Sequence, residues 1–487
     1  MLASEVWSEA TVGGVGTAMA EGRLTAVDLV LFHLARIAEL DGGQGGLSSI
    51  LEVNPDAIHI AEALDRERAL GRVRGPLHGI PVVVKDNIDS ADRMHTSAGS
   101  LALAEAYASA DAPLVRGLRR AGAVLLAKAN MTEWANFMSD HMPAGYSSRG
   151  GQVLNPYGPG VLEPGGSSSG SAVAVAANLT MLAVGTETSG SILSPASQNG
   201  IVGIKPTVGL VSRSGVVPIS HTQDTAGPMA RTVRDAALLL DALSGVDDAD
   251  PATSTQTGRV PQSFAAGLDP AALRGARLGV ARAPYFDRLD ADRLRVMEGA
   301  IGSLMAAGAE VVDPVAIATA DTRWNFPLLV HEFRPALNAY LGRLGPNVPV
   351  HTLRELIAYN EARPDTMLRY GQALLLQAEA TSGRLTERAY VEALAGNRRR
   401  ARAEGIDRTL AEHRLDALVF PNNWGAGIAA AAGYPSITVP AGQTDGGAPV
   451  GLTLTGTAFS EARLIALAYA FEQATGARRP PAPRQPA

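Results

Sequence analysis

Residues 165–196 hold the pattern that most limits how this chain can fold. They begin with Gly-Gly-Ser-Ser-Ser-Gly-Ser-Ala, continue with an apolar segment at 172–184, and end with Gly-Thr-Glu-Thr-Ser-Gly-Ser-Ile-Leu-Ser-Pro-Ala. The apolar segment predicts a helix over 172–178 and a strand over 181–185, so a Ser/Gly loop lies at each end of buried structure. Such loops suit acyl transfer, because a hydroxyl attacks a carbonyl while glycine lets backbone N–H groups approach the oxyanion.

A lysine upstream gives these loops a possible base. Lys85 ends the run Ile-Pro-Val-Val-Val-Lys, which predicts a buried strand that delivers its last residue to a site. Of the 42 basic residues, 39 are arginine, and the three lysines are Lys85, Lys128 and Lys205. Lysine can lose its proton when it is desolvated, whereas arginine cannot. A general base is one role that requires lysine here, and an ion pair with Asp86 or Asp89 is the structural alternative.

Helix and strand patterns alternate along much of the chain. Residues 111–130 predict a helix, a glycine and an apolar strand, and residues 277–314 predict strand, helix and strand. This alternation is typical of α/β proteins, and we expect a large mixed, mostly parallel sheet covered by helices on both faces. Ser191 follows the end of a predicted strand, where open α/β sheets bind their ligands. The length of 487 residues alone suggests two or three domains.

Composition excludes several kinds of chemistry. The chain has no cysteine, which removes disulfides, thiol nucleophiles and cysteine-bound metals. The nine histidines form no zinc motif, so we predict no metal site and treat His221 as structural. Neither a phosphate-binding loop nor a dinucleotide fingerprint occurs, so we expect no cofactor. The net charge of −6 gives no reason to expect a nucleic-acid partner.

The sequence also shows no targeting or membrane signal. No positively charged N-terminal region precedes an apolar one, so we expect a cytoplasmic protein. The longest apolar run, residues 172–184, is too short to cross a membrane and contains Asn178 and Thr180.

The motifs together resemble the amidase signature family, and within it the bacterial peptide amidases. The resemblance rests on Lys85, on the Gly-Gly-Ser-Ser-Ser-Gly run and on the Gly190-Ser191 pair, with Ser167 and Ser191 spaced 24 residues apart. Three further segments support it, at residues 126–131, 198–207 and 223–229. The resemblance is strong over residues 77–237 and weaker up to 476.

This resemblance implies a site and a domain layout. Ser191 would be the nucleophile, Ser167 a bridging serine after a cis peptide bond, and Lys85 the base. The backbone N–H groups of Thr188, Ser189, Gly190 and Ser191 would form the oxyanion hole. Residues 1–476 would form one domain, with a signature core at 77–237 and a region that shapes the substrate cleft at 320–370. The proline-rich residues 477–487 are expected to be disordered.

Two positions depart from the family pattern, and one motif competes with it. Ser189 stands where many members have glycine or aspartate, and Leu193 where many have arginine, which puts the substrate specificity in doubt. The run Gly-Ser-Ser-Ser-Gly also matches the G-x-S-x-G elbow of α/β-hydrolases, with Ser168 as nucleophile. That elbow needs a strand before it, and residues 155–164 contain three prolines, so we reject it.

These observations predict a serine amidohydrolase that cleaves a carboxamide C–N bond through an acyl-enzyme. The expected substrates are C-terminal amides of peptides or amino-acid amides. An aryl acylamide, carbamate or lactam hydrolase is an alternative, as is an amidotransferase subunit that needs partners. We expect a monomer or homodimer and a small-molecule or peptide substrate. Three aromatic side chains are candidate substrate contacts, namely Phe333, Trp424 and Tyr434.

Overall fold

The computed structural model describes residues 7–43, 45–322, 324 and 326–482. Its strands are β1 (Ile50–Val53), β2 (Pro81–Lys85), β3 (Val124–Ala129), β4 (Tyr146–Ser147), β5 (Gly151–Gln152), β6 (Leu182–Glu187), β7 (Val202–Lys205), β8 (Thr225–Ala230), β9 (Arg277–Ala281), β10 (Glu310–Val315), β11 (Ala417–Pro421), β12 (Ser436–Gln443) and β13 (Pro449–Thr455).

The helices precede, separate and follow these strands. They are α1 (Val12–Ala20), α2 (Ala26–Leu40), α3 (Ala57–Ala69), α4 (Pro113–Arg120), α5 (Ser169–Ala176), α6 (Leu193–Gln198), α7 (Val233–Leu243), α8 (Ala291–Ala306), α9 (Phe326–Leu341), α10 (Leu353–Glu361), α11 (Pro364–Met367), α12 (Ala373–Glu379), α13 (Arg388–Ala401), α14 (Asp407–His413), α15 (Ala426–Ala432) and α16 (Glu461–Thr475). None of the helices in the described residues is long and apolar enough to cross a membrane.

The fold is the expected α/β class, with one large mixed sheet and many helices. The strand order is β1-β3-β2-β6-β8-β7-β12-β13-β11-β9-β10, so strands from both halves of the chain share the sheet. Parallel pairing occurs in two segments, β3-β2-β6 and β11-β9-β10, and accounts for four of the ten pairs described in this sheet. The pairs between these segments are antiparallel, in part because a short loop joins β12 directly to β13.

The centre of the sheet is buried on both faces. Every residue of β2, β3, β6 and β8 is buried, and these strands contain the valine, leucine and alanine runs of the sequence. A strand without a polar alternation must be covered on both sides, which explains why helices are needed on each face. β2 and β6 pair in parallel, so their carboxyl ends bring Lys85 and Glu187 to the same edge of the sheet.

A second apolar cluster lies outside the sheet. Helices α9, α10 and α12 pack there against the segment at 98–142, and Phe333 and Leu337 of α9 are completely buried in it. This cluster includes buried residues from the region at 320–370 that we expected to shape the substrate cleft, among them Phe333, Tyr340 and Leu356.

Residues 477–482 of the tail that we predicted to be disordered lie within the described part of the chain. Arg478 forms an ion pair with Glu9 at 2.8 Å. The Tyr157 hydroxyl also donates to the Arg479 carbonyl at 2.7 Å. These two arginines thus find partners that composition does not reveal. Residues 483–487 lie outside the described residues.

Candidate active site

Lys85 is the centre of a buried hydroxyl network. It is completely buried at the end of β2. Its Nζ donates to the Ser167 Oγ at 2.7 Å and to the Thr186 Oγ1 at 2.8 Å. Asn87 Nδ2 donates to the same Thr186 hydroxyl at 3.0 Å, which fixes the position of that hydroxyl. The geometry therefore joins Lys85 directly to one of the two serines that the sequence pairs with it.

The surroundings favour the neutral amine of Lys85. Burial lowers its pKa from 10.5 to about 7, although the charges of Glu187 and Asp224 act in the opposite direction. The alternative ion pairs of Lys85 with Asp86 and Asp89, all three within the described residues, are not formed. Asp86 faces Arg149 at 3.6 Å, and Asp89 accepts from the Tyr340 hydroxyl at 2.7 Å. Near neutral pH a large share of Lys85 is thus able to accept a proton.

Ser167 lies in a tightly packed loop. The Gly166–Ser167 peptide bond is cis, as the family resemblance implied. The Thr132 N–H donates to the Ser167 carbonyl at 3.1 Å, and the serine side chain is completely buried. Gly165 has a φ of +66°, and a Cβ there would lie 2.6 Å from the Pro195 Cα, so only glycine fits. These contacts hold the first serine loop against the start of α6.

Ser168, which the competing G-x-S-x-G motif would use as nucleophile, is buried and bonded to the protein backbone. Its Oγ donates to the Thr186 carbonyl at 3.0 Å, inside the protein. The preceding residues, 153–168, form turns and irregular chain, so the strand that the elbow requires is missing. The Ser168 N–H donates to the Ser191 carbonyl at 3.2 Å, which brings the two serine loops together.

The loop between β6 and α6 presents a row of backbone N–H groups. Within the described residues, the N–H groups of 188–191 donate to no protein acceptor. The next two, at Ile192 and Leu193, donate to the Glu187 carboxylate at 2.7 and 3.0 Å. Gly190 adopts a φ of +89°, which favours glycine. The loop is thus closed by Glu187 and leaves four donors available, as an oxyanion hole requires.

Sequence reasoning missed the residues that hold this loop from the other side. The Thr188 hydroxyl donates to Asp224 Oδ1 at 2.6 Å, and Gln223 Nε2 donates to the Thr188 carbonyl at 3.3 Å. Both residues belong to the segment at 223–229 that carried part of the resemblance, but nothing in the sequence links them to Thr188. Thr186 was also missed, although it lies between the two serine clusters.

Comparisons with known proteins bear directly on this arrangement. Residues 28–426 match the Amidase family profile. A probable amidase of Arabidopsis thaliana is 44% identical over 97% of this chain and 91% of that protein. The crystal structure of the native peptide amidase from Stenotrophomonas maltophilia superposes with a TM-score of 0.91 at 49% identity, covering 98% of this chain and 99% of that one. One subunit of the glutamyl-tRNA(Gln) amidotransferase from Thioalkalivibrio sulfidiphilus is 33% identical over 96% of this chain and 97% of that protein.

The chain belongs to the amidase family. It is an amidase, an enzyme that hydrolyses amide bonds, as the sequence predicted.

A cavity of about 310 Å³ opens beside the loop at 188–191 of this amidase. Ser189 lines it together with Asn423, Trp424 and Tyr285, so Trp424 remains a candidate substrate contact. Leu193, the other departure from the family pattern, is buried at the start of α6.

The other two aromatic candidates lie in packed interiors. Phe333 is completely buried and its ring centroid lies 4.7 Å from that of Phe137. Tyr434 is almost buried, and its hydroxyl donates to Asp407 Oδ2 at 3.0 Å. Neither of these two described side chains lines the cavity beside Ser189, and this could not be predicted because the sequence does not show which aromatic residues pack in the core.

Two further predictions concern His221, which we treated as structural, and the absence of a metal site. His221 lies near Glu332 and Tyr390, with its Nε2 3.5 Å from the Tyr390 hydroxyl, and touches neither serine loop. In the described part of the chain, no group of three or more acidic or histidine side chains is arranged to hold a metal ion.

Proposed function

We propose that this amidase is a serine hydrolase that uses Lys85, Ser167 and Ser191 to cleave a carboxamide C–N bond through an acyl-enzyme. The observation that carries the proposal is the 2.7 Å contact between the buried Lys85 Nζ and the Ser167 Oγ. A neutral lysine bound to a hydroxyl is a base, and a hydroxyl can donate and accept protons at once.

Acylation would proceed as a proton relay. Ser191 Oγ attacks the amide carbon while its proton passes to Ser167, whose own proton passes to Lys85. The carbonyl oxygen becomes an oxyanion, and the N–H groups of 188–191 stabilise it. When the tetrahedral intermediate collapses, the C–N bond breaks and the leaving nitrogen takes a proton from Lys85 through Ser167. Ammonia leaves, and the acyl group stays on Ser191.

Deacylation would use the same groups with water as the nucleophile. Water attacks the Ser191 ester and gives its proton to Lys85 through Ser167. When the second tetrahedral intermediate collapses, the bond to Ser191 Oγ breaks, and this oxygen takes the proton back from Lys85 through Ser167. The carboxylic acid leaves, and the Ser191 hydroxyl and the neutral Lys85 are restored. No cofactor enters either half of the reaction.

C-terminal amides of peptides and amino-acid amides are the substrates that we propose. The similarity to the peptide amidase structure supports this choice. So does the cavity beside Ser189, since Trp424 and Tyr285 offer apolar surface to an acyl side chain while the oxyanion loop remains accessible. Aryl acylamides, carbamates and lactams are the alternatives that the same three residues would serve.

The 33% identity to an amidotransferase component favours one alternative of another class. Such a component would pass ammonia to an acyl acceptor within a complex. We propose instead that this chain acts alone, as a monomer or homodimer. Purified chain that releases ammonia from a peptide amide without any added protein would exclude the amidotransferase role.

The nucleophile is tested by labelling with a fluorophosphonate, followed by mass spectrometry of the peptides. We expect the adduct on Ser191, and no adduct in Ser191→Ala. Ser168→Ala is the matched control, because Ser168 lies in the facing loop and should leave the labelling intact. An adduct confined to Ser168 would overturn the assignment.

The substrate class is tested by turnover of peptide amides, anilides, carbamates and lactams that share one acyl group where the chemistry allows. We expect the highest kcat/KM for the peptide amides. A clear preference for an anilide, carbamate or lactam would replace the proposed substrate while leaving the catalytic residues in place.

A further inference from the structure

We propose that Asp224 is a positioning residue that aims the oxyanion-binding N–H groups by holding Thr188. The inference rests on the proposed function, because it assigns a role to the loop at 188–191 in stabilising an oxyanion. Asp224 would touch neither substrate nor nucleophile and would act only through Thr188.

Asp224 is bound in a way that fixes both of its oxygens. Its Oδ1 accepts from the Thr188 hydroxyl at 2.6 Å. Its Oδ2 accepts from the backbone N–H groups of Ile219 and Ser220, each at 2.8 Å. The carboxylate therefore cannot turn without losing two backbone donors, and its other oxygen stays directed at the loop.

The Thr188 peptide group is held at its carbonyl as well. Gln223 Nε2 donates to the Thr188 carbonyl at 3.3 Å. In a trans peptide the carbonyl and the following N–H point in opposite directions. Directing the Thr188 carbonyl towards Gln223 consequently directs the Ser189 N–H away from Gln223.

The loop is thus restrained at both ends by different carboxylates. Glu187 accepts from the N–H groups of Ile192 and Leu193, which fixes the end that leads into α6. Asp224 fixes the beginning through Thr188. Electrostatic stabilisation of an oxyanion depends on donors that are already oriented when the charge develops, so a loop held at only one end would stabilise it less.

The segment that carries Asp224 has supports of its own. The Thr222 hydroxyl donates to Glu332 Oε1 of α9 at 3.0 Å, and the Ser220 hydroxyl also donates to this buried carboxylate. Removing the Thr188 hydroxyl should therefore change the oxyanion loop while leaving residues 219–224 in place. This separation makes a positioning role distinguishable from a structural one.

The pH dependence of the reaction rate offers a second test of the role of Asp224. Burial raises the pKa of Asp224 to about 6, while hydrogen bonds from Thr188 and the backbone, and the charge of Arg213, oppose this rise. Protonation would replace the charge-assisted hydrogen bond between Thr188 and the Asp224 carboxylate by a weaker neutral one, and the anchor of the loop would weaken. The charged and titratable groups that face Asp224 or share its two cavities are Arg213, Lys85, Glu187, His221, Asp250, Tyr340 and Arg343.

Two ionisations should consequently shape the acid side of the rate profile. Protonation of Lys85 near pH 7 removes the base, and protonation of Asp224 near pH 6 releases the loop. The logarithm of kcat/KM should fall with a slope of 1 just below pH 7 and steepen towards 2 below pH 6.

The test compares Thr188→Val, Thr188→Ser and Asp224→Asn in the full-length enzyme on one peptide amide. We expect Thr188→Val and Asp224→Asn to lower kcat by roughly 10–100-fold, less than the loss of a whole oxyanion donor. KM should change by less than about threefold, because the substrate ground state carries no oxyanion. Thr188→Ser restores the hydroxyl and should recover most of the lost rate.

The affinity for a peptide aldehyde gives a readout that a merely structural role would not move. The aldehyde forms a hemiacetal with Ser191 whose oxygen occupies the oxyanion site, so its Ki should rise in Thr188→Val by the same factor as kcat falls. The steepening below pH 6 should also disappear in this variant, which keeps the Asp224 charge. Ser263→Ala is the matched control, since Ser263 Oγ donates to Asp241 at 2.6 Å away from the site.

The outcomes separate this inference from the proposed function. A Thr188→Val enzyme with wild-type kcat, aldehyde affinity and pH profile would overturn the role of Asp224, even if fluorophosphonate still labels Ser191. Absence of the Ser191 label in the wild-type enzyme would instead overturn the proposed function. If Asp224→Asn does not fold, Thr188→Val alone decides the inference.

Discussion

Lys85 and Lys128 are two buried lysines on neighbouring strands whose surroundings differ. β2 and β3 run parallel, and Val84 lies opposite Lys128. Since successive side chains of a strand point to opposite faces, Lys85 and Lys128 lie on opposite faces of the sheet. Both are completely buried, and burial lowers the pKa of both. Burial and a lowered pKa therefore do not distinguish the two lysines.

Their partners do distinguish them. Lys128 donates to the Ile88 carbonyl at 2.5 Å and to the Thr96 Oγ1 at 2.9 Å, and the charges of Asp86 and Asp89 favour its ammonium form. Lys85 likewise donates to a threonine hydroxyl and a carbonyl, both of Thr186, but it also donates to the Ser167 hydroxyl. Any hydroxyl can pass a proton on, and that of Ser167 lies in the loop that is bonded to the Ser191 loop. What marks a candidate base is thus a hydroxyl partner beside a candidate nucleophile.

The largest expected effect is the loss of turnover when Lys85 is replaced, which tests the difference between the two lysines directly. Lys85→Arg should lose at least about 10²–10⁴-fold in kcat, as much as Lys85→Ala, because arginine stays protonated and cannot act as the base. Turnover of both variants, with circular dichroism to verify folding, measures this. A folded Lys85→Arg enzyme that keeps more than about a tenth of the wild-type rate would return Lys85 to a structural role.

A smaller loss of activity is expected when the pH falls below the pKa of Lys85. Lys85 must be neutral to accept a proton, and its pKa in the folded protein is lowered to about 7. Activity should therefore be full above pH 7 and fall about tenfold for each unit below it until other groups titrate. A kcat/KM profile between pH 5 and 9, with folding checked at each end, tests this. A profile that stays flat down to pH 5.5 would contradict a lysine base.

Lys128→Met should lower the stability of the protein and leave its kcat nearly unchanged, whereas Lys85→Arg should lower kcat. It removes the charge that faces Asp86 and Asp89 and leaves the Ile88 carbonyl without its donor, so we expect a loss of stability on the order of 3 kcal/mol. The kcat of the folded enzyme should stay within about twofold of wild type, because Lys128 faces away from the serines. Thermal melts and turnover well below the melting temperature measure the two quantities. A Lys128→Met enzyme that is folded but inactive would show that the two lysines act together.

The sequence located Lys85 but could not separate it from the other lysines. The scarcity of lysine drew attention to three positions, and all three are completely buried in the structure. Lys205 donates to the Tyr434 carbonyl at 2.8 Å, which gives it a structural role much like that of Lys128. Retention of lysine therefore indicates burial, and it was the serine motifs that singled out Lys85.

Local patterns predicted local structure well. The helix and strand expected at 172–178 and 181–185 correspond to α5 and β6, because apolar periodicity and length decide such elements. Contacts between segments that are far apart in the sequence could not be predicted. Thr188 and Asp224 are 36 residues apart, and only the antiparallel pairing of β6 with β8 brings them together. The burial of Phe333 could not be predicted for the same reason, since its packing depends on residues at 98–142.

The smallest expected effects compare the threonines that bind the two lysines. Thr186 Oγ1 accepts from Lys85 at 2.8 Å, and Thr96 Oγ1 accepts from Lys128 at 2.9 Å. Valine has nearly the shape of threonine without its hydroxyl, so each Thr→Val variant deletes one matched hydrogen bond. A buried hydrogen bond contributes about 1 kcal/mol, which corresponds to roughly five- to tenfold in rate if it orients a reacting group.

Thr186→Val should therefore lower kcat by roughly five- to tenfold, because the Lys85 amine is no longer directed at Ser167. Thr96→Val should leave kcat unchanged and lower the melting temperature, since Lys128 keeps only the Ile88 carbonyl as a partner. Kinetics and melts of the two variants side by side test both statements. Equal kinetic effects at Thr186 and Thr96 would mean that hydroxyl partners do not distinguish a base from a structural lysine, and the comparison of Lys85 with Lys128 would lose its basis.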